Sequence, residues 1–411
     1  RRLRMASALE GIKVIDVSQV AAVPVAARHL ADFGAEVIHV ENPATSDFWR
    51  TYQAGQGRGT AGVPSDINYN WENFDRNKRS LTLDLSQEGG QKILYKMAET
   101  ADVFLTNLRP FELERYHLEY ATLSQRNPRL IYGSLTGYGK KGLERNAPAY
   151  DATAYWGRSG VPYMMSTMAG ASPGFRPAFG DNVAGLALAL GVMLALFARE
   201  RTGIGQEIDL NLVHIGIYQI AFDVAGALVT GRDYAEWRIR SREEVPNPLA
   251  LPYPTKDGRT IGLVVLQPDR YWSRFCQAIE RADLEHDPRF ETYDARFQNR
   301  ATLLHILDEV FLTRTLEEWK PRLEGIPFSP VQTLVEVVND PQTRANDTFI
   351  PFDHPTYGRI EVVANPVKLS QTPATVRMPA PEFGQHTEEV LLEYGYSWED
   401  IEQFKQQKII A

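Results

Sequence analysis

Cysteine is almost absent from this chain, which has one, Cys276, in 411 residues. A single cysteine excludes a disulfide framework, a Cys-x-x-Cys redox pair and a zinc or iron–sulfur site built on thiolates. Cys276 lies at an apolar position of a predicted helix, where a free thiol is typically part of the core. We therefore expect a packed thiol rather than a nucleophile. The lack of disulfides predicts a cytoplasmic protein.

Motifs that bind metals or nucleotides are also missing. The eight histidines form no H-x-x-x-H or H-E-x-x-H pattern, and the chain has neither a G-x-S-x-G elbow nor a Walker A loop. Residues 137–142 match G-x-G-x-x-G after a predicted strand, but a loop follows where dinucleotide binding needs a helix. We predict no metal and no redox cofactor, although this lysine-bearing loop has the composition to approach phosphates.

The charge balance is acidic, with 44 Lys+Arg against 52 Asp+Glu and a net charge of −8. This counts against a general partnership with nucleic acid or an anionic membrane. No apolar stretch typical of a secretory signal follows Arg4. The longest uncharged stretch, residues 182–198, is bounded by charged residues and favours a buried core helix over a membrane span.

Strands and helices alternate along the first half of the chain. Short apolar runs predict strands at residues 12–17, 36–40, 80–85, 102–106, 129–134 and 207–211. Helices are predicted between them, including residues 20–33 and residues 87–99 with Ser86 as N-cap. This alternation predicts an α/β fold with a doubly wound parallel sheet, in which ligands bind beyond the carboxyl ends of the strands.

The composition changes after residue 230. Four prolines between Glu243 and Pro254 indicate a linker. A strand at 260–265 and helices at 268–280, 298–312 and 316–324 then predict a smaller α+β domain that ends near residue 330.

One carboxylate stands out, because Asp181 follows a glycine directly before the most apolar helix of the chain. Aspartate is a favoured N-cap, and that role alone accounts for it. The N-terminus of a helix also favours negative charge, so we expect Asp181 to stay ionised in an apolar setting. An ionised carboxylate in a dry pocket is a nucleophile toward an activated acyl group. The pattern leaves both interpretations open.

An ordered series of short segments resembles the class III CoA-transferases, the CaiB/BaiF family. The segments lie at residues 9–16, 34–41, 77–80, 101–107, 127–129, 180–181, 201–206 and 384–389. Each is weak alone, but the ordered set, which spans residues 8–409, is highly specific.

The resemblance implies that Asp181 is the nucleophile. It would attack an acyl-CoA thioester to form a mixed anhydride, and then an aspartyl-CoA thioester from which an acceptor acid takes the CoA. Coenzyme A is then a substrate, and no prosthetic group is needed. The positions that match CoA contacts in the family are Leu83, Ser86, Asn107, Leu108, Arg109, Arg115, Tyr150 and Asp151. Arg109 and Arg115 are suitable partners for phosphates.

The same resemblance narrows the choice of acyl group. Ala21 and Ala22 lie in the first βα turn, at the substrate side. Ala21 and Val23 replace the glutamine and glycine of formyl-CoA transferase, and residues 240–252 are proline-rich where that enzyme has a glycine-rich lid. Formyl-CoA and oxalate are therefore not the expected substrates.

The residues on either side of Asp181 favour a bulky or aromatic acid, since large apolar side chains line acyl pockets. These side chains are Tyr155, Trp156, Tyr163, Met164, Met165, Met168, Phe175 and Phe179. Arg158 and Arg176 are placed to hold a second carboxylate. We therefore expect an acceptor such as a substituted succinate, with succinyl-CoA as donor. The amino-acid sequence of residues 68–79 resembles that of the benzylsuccinate CoA-transferase branch of the family.

Two alternatives accompany the transferase prediction. The α-methylacyl-CoA racemases share this family's fold but use a histidine base where this chain has Tyr150. A catalytically silent subunit that only binds CoA is the other alternative. The resemblance also implies an interlocked dimer, homomeric or with a related subunit. Its Rossmann-like large domain takes residues 5–230 and 331–411, and the small domain is inserted at 231–330.

Overall fold

The structure, a computed structural model, describes residues 7–51, 65–166, 174–233 and 239–411. Within these ranges the chain divides into two compact units. The first takes the described residues up to Met164, together with Gly174–Ala225 and Asn346–Ala411. The second takes Gly226–Ala345 and residues 165–166.

A six-stranded sheet forms the centre of the first unit. Its strands are β1 (Lys13–Val17), β2 (Glu36–Glu41), β3 (Arg79–Thr82), β4 (Val103–Thr106), β5 (Ile131–Thr136) and β6 (Glu207–Asn211). Their order is β3-β2-β1-β4-β5-β6, and every neighbouring pair is parallel. The strand order changes direction between β1 and β4, a switch point whose carboxyl edge typically binds ligands. The predicted doubly wound fold is confirmed.

Both faces of this sheet are covered. Successive residues of a strand point to opposite faces, and accordingly Val14 and Val103 lie in one core cluster while Ile15 and Phe104 lie in another. Burial on two sides explains why these strands read as continuous apolar runs rather than as alternating patterns.

Eleven helices lie between Ala22 and Thr230 in the described residues, either between strands of the sheet or after its last strand. They are α1 (Ala22–Asp32), α2 (Phe48–Thr51), α3 (Tyr69–Asp75), α4 (Glu88–Ala98), α5 (Pro110–Tyr116), α6 (Tyr120–Arg126), a π-helix (Ala152–Arg158), α7 (Val161–Met164), α8 (Phe179–Thr202), α9 (Leu212–Gln219) and α10 (Ala221–Thr230). The predicted cap of α4 is wrong, because Gln87 is its N-cap. The Ser86 hydroxyl donates instead to Asp84 over 2.6 Å, a local bond that competes with capping.

Helix α8 packs closely on α1. A Cβ atom at Gly185 would lie 2.5 Å from Val25 Cγ1 and 2.8 Å from the Ala22 carbonyl oxygen, so the crossing requires glycine. In the described chain α8 is the single helix long and apolar enough to cross a membrane, while α9 and α10 pass the same test only as a pair bent by 84°. The core-facing side of α8, with Leu188 and Val192, is buried, as predicted for a core helix.

The second unit contains a small antiparallel sheet and several helices. Its elements are a 3-10 turn (Arg242–Glu244), β7 (Pro252–Pro254), β8 (Thr260–Leu263), α11 (Pro268–Ala278), a 3-10 turn (Ala282–Leu284), α12 (Tyr293–Gln298), α13 (Arg300–Phe311), α14 (Leu316–Arg322), β9 (Phe328–Pro330), α15 (Leu334–Asn339) and α16 (Pro341–Ala345). The strand order is β7-β8-β9. Cys276 is fully buried in the core of this unit, as predicted.

The end of the chain returns to the first unit. Its elements are β10 (Phe349–His354), β11 (Gly358–Val363), α17 (Thr387–Glu393) and α18 (Trp398–Gln406). The Thr82 amide donates to Thr387 Oγ1 over 3.1 Å, and the Asp84 amide donates to the Ile409 carbonyl over 2.8 Å. These bonds cover the edge strand β3, which would otherwise expose unpaired backbone groups.

Candidate active site

Asp181 lies in the first turn of α8 and is 8% exposed. It is not the N-cap. That position belongs to Ala178, which has φ 59° and no side-chain oxygen with which to cap. The capping interpretation of Asp181 is therefore wrong, and its carboxylate is not used to satisfy its own helix.

The carboxylate of Asp151 reaches this helix end from another part of the chain. Its Oδ1 accepts a hydrogen bond from the Gly180 amide over 3.0 Å. Gly180 fits closely, since a Cβ there would lie 2.4 Å from Asp151 Oδ1 and 2.2 Å from Tyr155 Cγ. The Gly-Asp pair therefore has a steric basis: any side chain at position 180 would displace the groups beside Asp181.

The two carboxyl groups influence each other. Burial, together with the charge of Asp151, raises the pKa of Asp181 to about 7. Burial also raises the pKa of Asp151 to about 6, although the N–H groups of residues 179–181 and the Trp156 indole pull it down. Burial therefore opposes the ionisation of Asp181 that the helix end is expected to favour.

A π-helix positions the aromatic part of the site. The Trp156 amide donates to the Asp151 carbonyl over 2.9 Å, an i to i+5 bond. π-Helical turns are rare and are frequent at functional sites. Tyr155 and Trp156 on this turn are almost fully buried, and Trp156 lies 5.3 Å from Phe179 and 6.1 Å from Phe175 between ring centroids. Tyr155, Trp156, Phe175 and Phe179 therefore form a chain of ring contacts next to Gly180, although Phe175 and Phe179 are about half exposed.

The predicted carboxylate-binding arginines do not form a pair. Arg158 is bound to Glu144 over 2.9 Å on the surface. Arg176 is exposed, and its carbonyl accepts from the Trp156 indole over 3.3 Å. Tyr163 and Met165 are exposed as well, and Met168 lies outside the described residues. Ala21 and Ala22 are buried at the start of α1.

A second feature is a cavity of about 190 Å³ at the carboxyl ends of β1 and β2. Three of the residues matched to CoA contacts, Leu83, Ser86 and Leu108, line it. Residues that sequence reasoning did not single out also line it: Ser18, Gln19, Ser46, Asp47, Glu112 and Tyr116. These residues could have been predicted as cavity residues from the rule that ligands of doubly wound sheets bind beyond the carboxyl ends of the strands.

The other residues matched to CoA contacts do not line this cavity. Asn107 Nδ2 donates to the Gln19 carbonyl over 2.7 Å and so holds the wall of the cavity. Arg109 pairs with Glu112 over 3.1 Å, and Arg115 is exposed on the same helix, α5. Tyr150 is 66% exposed and lies next to Asp151, with the Asp181 group rather than with the cavity residues.

One buried cluster resembles a metal site. Asp16, His39 and Asp75 bring three ligand-type atoms within 4.8 Å of one another. However, Lys78 Nζ lies 3.0 Å from Asp16 Oδ2 and 2.7 Å from Asp75 Oδ1. The ammonium group of Lys78 already supplies the positive charge that a metal ion would bring. We therefore interpret the cluster as a buried ion-pair network that stabilises the fold.

Known structures share this fold. A solved CaiB/BaiF family protein from Brucella suis superposes with a TM-score of 0.80 at 27% identity, covering 95% of this chain and 100% of that one. A protein of Mycobacterium tuberculosis superposes with a TM-score of 0.78 at 28% identity, covering 93% of this chain and 99% of the other. These similarities define the class as CaiB/BaiF proteins.

The sequence matches make the assignment more specific. The CoA-transferase family III profile matches residues 9–387. The (R)-2-hydroxy-4-methylpentanoate CoA-transferase of Clostridioides difficile is 34% identical over 98% of this chain and 99% of its own length. The cinnamoyl-CoA:phenyllactate CoA-transferase of Clostridium sporogenes is 33% identical over 97% and 96%, and the human succinyl-CoA:glutarate CoA-transferase is 30% identical over 94% and 85%. The chain belongs to CoA-transferase family III and is a CoA-transferase.

Proposed function

We propose that this enzyme moves CoA from an acyl-CoA donor to a bulky or aromatic carboxylic acid through covalent intermediates on Asp181. The observation that carries the proposal is the position of Asp181, a buried carboxyl at a helix end with aromatic side chains packed beside its Gly180 neighbour. Among the described groups of this site, it is the carboxyl whose oxygens are free of a capping role.

The chemistry needs only the carboxylate and the two substrates. The ionised Asp181 attacks the thioester carbonyl; a C–O bond forms, the C–S bond breaks, and the negative charge moves to the CoA thiolate. The thiolate then attacks the aspartyl carbonyl of the anhydride and releases the donor acid as a carboxylate. The acceptor carboxylate attacks the aspartyl-CoA thioester, and the reverse steps release the new acyl-CoA and restore Asp181.

The strand-end cavity is the proposed site of the nucleotide end of CoA. It lies at the switch point, where doubly wound sheets bind nucleotides. Arg115 is exposed on α5, the helix whose Glu112 and Tyr116 line the cavity, and Arg109 pairs with Glu112, so we propose both as partners for the phosphates. Asn107, which fixes Gln19, has a supporting role in this proposal.

The aromatic side chains support a bulky acceptor. Tyr155, Trp156, Phe175 and Phe179 form a contiguous set of ring contacts. The two relatives with bulky apolar acids in their names, those of C. difficile and C. sporogenes, align over nearly the whole chain. Succinyl-CoA appears in the names of the human and Chloroflexus relatives, and we propose it as a donor here. A substituted succinate of the benzylsuccinate type is our proposed acceptor on the resemblance of residues 68–79, since Arg158 and Arg176 do not form a carboxylate-binding pair. The cytoplasm is our proposed location.

We also propose that the enzyme works as a dimer, homomeric or with a related subunit. The outward side of α8 carries exposed apolar residues, Leu190, Leu194 and Phe197. Tyr218 and Phe222 of α9 and α10 are 76% and 93% exposed. Large contiguous apolar surfaces mark association sites. The Chloroflexus relatives are named as alpha and beta subunits of one transferase, which supports testing both arrangements.

The test combines Asp181→Ala with trapping of the acyl-enzyme. Wild-type enzyme, given succinyl-CoA and a panel of aromatic and aliphatic acids, should exchange CoA, and hydroxylamine should displace the bound acyl group or CoA and leave a hydroxamate on Asp181 that peptide mass spectrometry detects. Asp181→Ala should do neither, whereas Asp294→Ala, which changes an exposed aspartate in the first turn of α12, should behave as wild type. Full exchange by Asp181→Ala would contradict the mechanism. Solvent deuterium entering the α-carbon without an acceptor acid would indicate a racemase.

A further inference from the structure

Helix α8 begins without a cap of its own. The first four amides of a helix have no partner within it, and a side chain from the N-cap residue usually binds one of them. Ala178 cannot do so, and the first bond within the helix is the one from the Asn182 amide to the Ala178 carbonyl, at 3.0 Å. The Gly180 amide is satisfied by Asp151, which lies 29 residues earlier in the chain.

Asp151 is held firmly for this role. It is the N-cap of the π-helix, and its carbonyl accepts from the Trp156 amide. The π-helix is in turn packed against α9 so closely that a Cβ at Gly216 would lie 2.4 Å from Ser159 Oγ. The Ser159 hydroxyl donates back to the Tyr155 carbonyl. The carboxyl of Asp151 is therefore presented to α8 by a fixed scaffold.

Capping alone does not require a charge at this position. Asparagine and serine cap helices about as well as aspartate. Asp151 is 6% exposed, and its Oδ2 has no hydrogen-bond partner among the described residues. A buried, unsatisfied carboxylate oxygen beside a second buried carboxyl costs free energy, which a neutral cap would avoid. The charge of Asp151 therefore calls for a reason other than helix stability.

The charge acts on Asp181. Several charged or titratable side chains belong to elements that pack on α8: Arg28, His29 and Asp32 on α1, Glu207 and Asp209 on β6, His214 on α9, and Asp151, Tyr155 and Arg158 at the π-helix. Of these, Asp151 is the one that alters the pKa of Asp181, and it raises it. Both carboxyls have raised pKa values, Asp151 mainly through burial and Asp181 through burial together with the charge of Asp151.

We propose that Asp151 is a positioning residue that caps α8 from outside the helix and whose charge makes ionised Asp181 a more basic, more reactive nucleophile. This inference rests on the proposed function of Asp181. Attack on the thioester removes the negative charge from Asp181 and transfers it to the CoA thiolate, so acylation relieves the repulsion between the two carboxylates. The repulsion thus raises the energy of the state that reacts and not of the acylated state.

The sharpest variant is Asp151→Asn, which keeps an oxygen for the Gly180 amide and removes the charge. The acid limb of the pH profile of acyl-enzyme formation should move to lower pH by about 1 unit, and acylation above that limb should slow because the carboxylate is less basic. Asp151→Glu should retain the charge effect. Asp209→Asn, which neutralises an exposed carboxyl on β6, should leave the profile in place.

Two results would overturn the proposal. One is a folded Asp151→Asn enzyme whose pH profile and acylation rate equal those of wild type. The other does not need the Asp151 variant, for the case in which that variant does not fold: carbon-13 NMR of labelled aspartate, in wild-type enzyme and in Asp181→Asn, should show that Asp181→Asn removes the higher of the two coupled titration steps. Loss of the lower step would mean that Asp151 is neutral when Asp181 ionises. If wild type traps no acyl group at all, the proposed function fails, whereas trapping with an unchanged Asp151→Asn profile refutes only the role of Asp151.

Discussion

Lys78 Nζ lies 3.0 Å from Asp16 Oδ2 with both side chains fully buried, and 2.7 Å from Asp75 Oδ1. Removal of one partner from such a network leaves uncompensated buried charges. Lys78→Met should therefore lower the free energy of unfolding by about 3–5 kcal/mol in urea titrations. Lys92→Met, which breaks the exposed pair with Glu88, should have a far smaller effect, because water screens exposed ion pairs. Equal effects of the two changes would show that the buried network is not what stabilises this region.

The same network predicts how stability depends on pH. Burial alone would lower the pKa of His39, but the charge of Asp16 and their hydrogen bond raise it to about 9. A raised histidine pKa contributes stability that is present below the unfolded pKa of about 6.5 and is lost as pH rises through 9. The free energy of unfolding should fall by roughly 3 kcal/mol between pH 6.5 and 9.5. His39→Gln should be less stable at pH 6.5 and should flatten this dependence, and an unchanged slope would contradict the assignment.

Gly180 should tolerate no side chain. A Cβ at this position would meet the ring of Tyr155 and the carboxylate of Asp151. Gly180→Ala should cost about 1–3 kcal/mol of stability and most of the transferase activity, because it displaces the cap of α8. Gly226→Ala is the matched control, since that glycine lies within α10 with open space around it. Wild-type activity in Gly180→Ala would show that the close approach is not needed for catalysis.

Cys276 should be chemically inert in the folded enzyme. Burial raises the pKa of its thiol to about 12, and the thiolate is the reactive form. A thiol reagent such as dithionitrobenzoate should react with native protein only as fast as the protein unfolds, and with one equivalent in denaturant. Cys276→Ala should retain the transferase activity of wild type, and loss of activity with an intact fold would reopen the question of a thiol nucleophile.

The sequence was a good guide wherever local periodicity decides the structure. The strands β1 to β6 and the helices α11, α13 and α14 all follow from apolar spacing. Strand β10 was missed because Pro351 argues against a strand, and within the described ranges its one partner strand is β11. Asp181 was found by its glycine turn and by resemblance.

The electrostatics of the site required the folded chain. Nothing local in residues 152–158 predicts a π-helix, and the bond between Asp151 and the Gly180 amide joins segments 29 residues apart. The helix end, which is visible in the sequence, favours ionised Asp181, whereas the desolvation that raises its pKa is visible only in the folded chain. Long-range burial, rather than the motif, decides whether this carboxyl is charged at neutral pH.

The apolar outer side of α8 should determine the oligomeric state. Leu190 and Leu194 lie one turn apart and are 61% and 62% exposed. Exposure of neighbouring leucine side chains to water is unfavourable, and association with a partner would bury them. Wild-type protein should sediment as a dimer, and Leu190→Glu with Leu194→Glu should yield a folded monomer, because two buried carboxylates oppose association. Leu143→Glu, in a fully exposed loop, is the control and should remain dimeric. A wild-type chain that is monomeric alone yet gains mass and activity with a related subunit would favour the heteromer, while one that is active as a monomer would refute both arrangements.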